Sequence, residues 1–155
     1  MTFDNDVASV PTPQDAPVET EATARSWDHI GAIILDAALQ RRQNYHATVR
    51  PRVLTLIEAW PDAATTSGFR AHLDGGTLSE VIDWPSPGRL AQVDDMTAVL
   101  EIQRIETVAE LRAAFDDAAK GADLREAMGA VLHVSPKTLD YIEALSQEPA
   151  NAVEE

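Results

Sequence analysis

The chain contains no cysteine. Disulfides, thiolate zinc sites, iron–sulfur clusters and cysteine nucleophiles are therefore excluded. No apolar run approaches the ~20 residues that cross a bilayer, so no membrane partner is expected. The opening Met1-Thr2-Phe3-Asp4-Asn5-Asp6 lacks the basic start of a secretory signal, and a cytoplasmic location is the simplest expectation. Basic residues are scarce. Twelve Lys and Arg face 26 Asp and Glu, a formal net charge of −14. That balance opposes general affinity for nucleic acid, which rests on cations against phosphate, and it favours basic partners. Metal-ligand spacing is missing as well. His29, His46, His72 and His133 are scattered without a His-x-x-x-His pair, and no structural metal or cofactor is expected. Gly75-Gly76 and Gly129 form no phosphate loop. The pairs Asp94-Asp95 and Asp116-Asp117 are neighbours on presumed helices, where adjacent side chains diverge, so they make poor acid–base pairs.

What is present is helical. Residues 1–23 carry Pro11, Pro13 and Pro17 and no apolar periodicity, which reads as a disordered acidic, Pro-rich tail. Residues 24–147 read as one helical domain, and residues 148–155 as an acidic C-terminal tail. Charge supports this division: residues 1–26 carry −4 and residues 147–155 carry −3. A first helix is expected over Ala24 to Arg42, with Trp27, Ile30, Ile33 and Ile34 at helical spacing. Pro51 suits the first turn of a second helix ending at Pro61-Asp62. Thr65 or Thr66 can cap a third, stopped by Gly75-Gly76, and Thr77 or Ser79 can start a fourth. Pro85 and Pro87 suggest a turn before a long helix over Arg89 to Ile105. Thr107-Val108-Ala109-Glu110 fits a capping box, and Gly121 is expected to separate that helix from Ala122 to Leu132. No segment alternates like a strand. The expectation is an all-α, compact multi-helix bundle ending in a helix-hairpin-helix.

The most informative run is His133-Val134-Ser135-Pro136-Lys137-Thr138. A Ser cap followed by Pro at the first helical position is a helix start. The preceding helix offers Leu124, Met128, Val131 and Leu132 to pack on Leu139, Ile142 and Leu145. Two core helices joined by a capped turn account for this spacing without any ligand.

The local sequence resembles the helix-hairpin-helix DNA glycosylase superfamily, the endonuclease-three-like enzymes. Their hairpin typically reads Gly-Val-Gly-x-Lys-Thr. Here Val134, Lys137 and Thr138 match, and His133 and Ser135 stand in place of the glycines. Downstream the family continues Pro-x-x-Ala-Val-Asp and then His, and this chain has Pro149-Ala150-Asn151-Ala152-Val153-Glu154. The resemblance spans Trp27 to Glu154, with motif residues from Leu132 onward. It implies a hairpin at 132–138 whose backbone holds a DNA phosphate, with Val134, Ser135, Lys137 and Thr138 as nucleic-acid-binding positions. It places Lys137 on the family's Schiff-base lysine and Glu154 on its catalytic aspartate. The family's His and later helices have no counterpart, which the resemblance reads as a shortened member.

The densest basic stretch is Arg41 to Arg52. It holds Arg41, Arg42, Arg50 and Arg52 with Tyr45 and His46 and no acid. Arginine grips phosphate and tyrosine stacks on bases, although a solvated loop pairing with nearby carboxylates explains the same composition. Three functions follow. The first is a non-catalytic DNA-binding module that uses these arginines and the hairpin. The second is an acidic interaction module for a basic protein, as a DNA mimic or as half of a split glycosylase-like assembly, with self-association into a homo-oligomer as another way to cover an apolar face. The third is a DNA glycosylase or abasic-site lyase using Lys137 and Glu154.

Overall fold

A computed structural model describes residues 26–40, 44–84 and 86–147. The expected tails at 1–23 and 148–155 lie outside the described residues, as do Arg41, Arg42 and Glu154. The described chain is all-α, with eight α-helices and no strand. In order they are α1 Ile30–Leu39, α2 Arg50–Ala59, α3 Thr66–Asp74, α4 Leu78–Ile82, α5 Pro87–Ile102, α6 Val108–Asp116, α7 Ala118–Gly129 and α8 Pro136–Ser146. A π-helical turn at Tyr45–Val49 precedes α2, and a 3-10 turn at Pro61–Ala64 follows it.

Helix α1 is the axle. Every one of its ten residues is buried, and α2, α3, α5 and α8 all pack against it. A helix buried on all sides lies inside a bundle rather than on its surface. The remaining helices bury one stripe each. Val53 and Leu56, Phe69, Val93, Met96 and Leu100, Leu111, Leu124 and Met128, and Leu139, Ile142 and Leu145 form one continuous core.

The helix starts are built locally. His29, Thr65, Thr107, Asp117 and Ser135 each accept a backbone N–H from the first turn of the helix they begin. Such caps satisfy amides that have no partner inside the helix. The Thr107–Glu110 capping box is present. Pro51, Pro87 and Pro136 occupy first turns, where a missing N–H costs nothing.

Four expectations are corrected. Helix α1 starts at Ile30 because His29 caps it, with its Nδ1 accepting from Ala32 N. Pro87 opens α5 instead of lying in a turn. Gly121 does not break a helix: Asp117 divides α6 from α7, and Gly121 is buried within α7, where a Cβ would stand 3.0 Å from the Phe115 carbonyl oxygen. Leu132 leaves the core and is 73% exposed, because α7 ends at Gly129 and helical phase no longer applies beyond it.

Three described residues other than glycine are left-handed: Asp83 (φ 55°) and Arg104 (φ 61°) just after α4 and α5, and His133 (φ 74°) in the turn between α7 and α8. At Arg104 the pattern is a Schellman motif, with Ile105 N donating to Leu100 O and Arg104 N to Glu101 O. The chain enters the described fold beside its exit, where Trp27 N donates to Leu145 O at 3.2 Å.

Candidate functional site

Helix α7 ends at Gly129 and α8 starts at Pro136, with a short turn between them. At Gly129 a Cβ would make only ordinary contact with Leu139, at 3.9 Å, so this glycine is not what sets the approach of α7 and α8. Arg125 on α7 bridges to Asp140 and Glu143 on α8. His133 takes the left-handed conformation that glycine adopts without strain. Ser135 then caps α8, with Oγ accepting from Thr138 N and Ser135 N donating to Thr138 Oγ1.

These bonds decide which groups face outward. Val134 is buried, and its N–H donates to Val131 O. Pro136 has no N–H. The Ser135 and Thr138 amides are both engaged in the cap. Among the amides from Val134 to Thr138, the Lys137 N–H has no acceptor among the described residues, and the Lys137 side chain is exposed and makes no ion pair among them. Leu132 and His133 flank it at the exposed tip.

Sequence reasoning missed a buried node in α1. Asp36, in the middle of α1, is 0% exposed. Its Oδ2 accepts from Trp27 Nε1 (2.8 Å) and Tyr45 Oη (2.9 Å). Its Oδ1 accepts from Tyr141 Oη (2.8 Å) and Gln40 Nε2 (2.6 Å). Four donors meet the four lone-pair sites of one carboxylate. Burial pushes this carboxyl above its usual range, and the bonds from Trp27, Tyr141, Tyr45 and Gln40 pull the other way. The signal in the sequence was a carboxylate inside the apolar run Ile33-Ile34-Leu35-Asp36-Ala37-Ala38.

Asp36 also connects the two predicted regions. Tyr45 lies five residues before Arg50, and Tyr141 lies one turn after Lys137. Their hydroxyls bond to opposite oxygens of the same carboxylate, so the π-helical turn leading to Arg50 and the helix carrying Lys137 meet there.

Within the basic segment, Arg50 and His46 are exposed. Arg52 is half-buried, donating through Nη1 to Thr48 O (2.8 Å) and through Nη2 to Asp83 O (3.2 Å). Its guanidinium stands 5.1 Å from the Trp84 ring, and that of Arg89 stands 5.9 Å from the same ring. Sequence reasoning did not join Arg89 to this group, because the three residues come from separate elements.

Other titratable groups serve the fold. His29 donates from Nε2 to Trp60 O at 2.9 Å and accepts at Nδ1, which requires the neutral ring. Burial lowers its pKa accordingly, against the opposing effects of the Trp60 carbonyl, Asp28 and Asp62. His72 stacks flat on Trp60 (4.3 Å between centroids) and meets Asp62 at 2.7 Å. That bond holds the Asp62 carboxyl below its usual range. No group of three or more potential metal ligands occurs among the described residues, and no described helix is long and apolar enough to cross a membrane. No protein-family model matches this sequence, and no curated protein or solved structure matches it either.

Proposed function

We propose that this domain is a non-catalytic nucleic-acid-binding module of helix-hairpin-helix type, touching phosphate through the start of α8 and the Arg50–Arg52 segment. One observation carries the reading. His133 follows the left-handed course that a glycine would follow at this point of the turn, and at the capped start of α8 the Lys137 N–H has no acceptor among the described residues on a residue that is itself exposed. An N–H at a helix start beside a cation is a phosphate-binding arrangement. Arg50 adds a second exposed cation, on a segment tied to α8 through Asp36. The net charge of −14 makes such binding local and strongly dependent on salt, because charges beyond about 8–10 Å are screened at physiological ionic strength.

The test is fluorescence anisotropy of a labelled duplex and a labelled single strand at several salt concentrations. Binding is expected to weaken with salt, and each of Lys137→Ala and Arg50→Ala is expected to flatten the log–log slope by about 0.7 to 0.9 for one lost phosphate contact. Absence of binding by the wild-type protein at low salt refutes the reading.

A second reading, an acidic module for a basic protein, is supported by the way the chain neutralises its own cations. Arg70 is paired with Asp74, Asp94 and Glu101, and Arg125 with Asp140 and Glu143. One stoichiometric basic partner, with no DNA binding, favours that reading. A lyase acting through Lys137 would leave a covalent adduct with abasic DNA under borohydride, lost in Lys137→Ala.

A further inference from the structure

Nearly all buried polar groups in folded proteins find a partner, and exceptions point to strain, catalysis or an absent ligand. Among the described residues three buried side-chain atoms have none: Arg52 Nε, Trp84 Nε1 and Gln92 Oε1. They come from α2, from the residue pair after α4, and from α5. The guanidiniums of Arg52 and Arg89 both stand over the Trp84 ring. Arg89 Nη1 donates to Ala38 O at 2.8 Å. Gln92 lies three residues further along α5, on the same helical face.

The corner is not assembled as an ion pair around Arg52. Both terminal nitrogens of Arg52 are aimed by neutral carbonyls, those of Thr48 and Asp83, and no carboxylate neutralises it among the described residues. The Asp83 carbonyl belongs to one of the left-handed helix ends. In a chain with 26 acidic residues, a guanidinium held this way keeps its charge for something else. Two orphaned N–H donors beside two guanidiniums match the oxygens of a phosphate. The orphaned acceptor, Gln92 Oε1, requires a donor on the same ligand.

We propose that the Arg52–Trp84–Arg89–Gln92 corner binds a phosphate ester that carries its own hydrogen-bond donor, of the nucleotide class. Phosphate oxygens accept from Arg52 Nε and Trp84 Nε1, and Gln92 Oε1 accepts from a sugar hydroxyl or a base N–H. Trp84 is only half-buried, so the corner reaches the surface of the protein. The nucleotide can be free or part of a strand, and neither case requires the hairpin to touch nucleic acid.

The experiment is a tryptophan-fluorescence titration of the full chain, supported by calorimetry. The probes are AMP, inorganic phosphate and a short single strand with or without a 5′-phosphate. AMP is expected to saturate below roughly millimolar concentration. Arg52→Lys, which keeps the charge and loses Nε–H, is expected to weaken AMP by about tenfold or more. Gln92→Leu weakens AMP but not inorganic phosphate. Trp84→Phe removes an orphaned donor, so it weakens AMP while leaving the ligand-free Tm unchanged or raised. Lys137→Ala leaves AMP affinity unchanged, which separates this corner from the hairpin: duplex binding can fail while AMP binding stands. Saturation by AMP alone identifies a free nucleotide, and saturation also by the strand identifies a strand-borne one. No saturable AMP binding overturns the proposal. So does wild-type AMP affinity in both Arg52→Lys and Gln92→Leu, or a Trp84→Phe variant that loses stability and keeps its affinity.

Discussion

Two buried polar regions of this molecule are built to opposite standards. Around Asp36, four donors from residues 27, 40, 45 and 141 meet both oxygens of one carboxylate. At Trp84, its own Nε1 and Arg52 Nε are buried with nothing to bond among the described residues, as is Gln92 Oε1 in α5. The first region shows that this fold can match buried polar groups across more than a hundred residues of sequence. The mismatch in the second is therefore informative, and it lies where two arginines converge on one ring. A satisfied network fixes a unique packing, whereas an unsatisfied one weakens the free protein until a ligand completes it.

The comparison breaks most visibly at Asp36. Asp36→Ala strands the Trp27, Tyr45 and Tyr141 donors in the interior and is expected to cost about 3–5 kcal/mol, measured by urea unfolding. Tyr141→Phe removes one donor and leaves the carboxylate partly served, for an expected loss of about 1–2 kcal/mol. pH sharpens the contrast, with a slope of at most about 1.4 kcal/mol per pH unit for each group. Asp36 has a raised pKa when folded, so its contribution is present at low pH and is lost as pH rises from the ordinary carboxylate range through the raised value. His29 has a lowered pKa when folded. Its contribution is present above the ordinary value of 6.5 and is lost as pH falls through the lowered one. Unfolding curves between pH 4 and 7 for wild type, Asp36→Asn and His29→Asn separate the two, and a wild-type curve parallel to both variants refutes the assignment. Arg104→Gly and His133→Gly relieve left-handed strain and are expected to stabilise by about 0.5–1 kcal/mol. If His133→Gly also leaves duplex affinity intact, the backbone course matters at the tip and the imidazole does not.

Local chemistry was readable in the sequence. The Thr65, Thr107 and Ser135 caps, and Pro51 and Pro136 in first turns, each depend on a few consecutive residues, and the structure has them where the pattern places them. The packing of Leu124, Met128 and Val131 with Leu139, Ile142 and Leu145 followed from helical spacing as well. Leu132 was misplaced because periodicity runs on past a helix end that only the turn geometry reveals. Gly121 was misread because a glycine needed for close approach looks the same in sequence as one that breaks a helix. The Asp36 node was hidden by distance, since Tyr141 lies 105 residues away. The Trp84 corner joins three elements for which no local pattern predicts contact. Of the candidate site, the capped start of α8 at Ser135-Pro136 was legible, and the surroundings of Arg52 were not.

The bond from Trp27 to Leu145 makes the order of the helices along the chain separable from the fold itself. A short linker joining residues 26 and 147 would span almost nothing, and new ends could be cut at the exposed Gly75-Gly76 connection. Such a permuted protein would place α1 after α8 in chain order while keeping the contacts of the axle. Its refolding would then reveal whether this bundle assembles around α1 or merely closes over it.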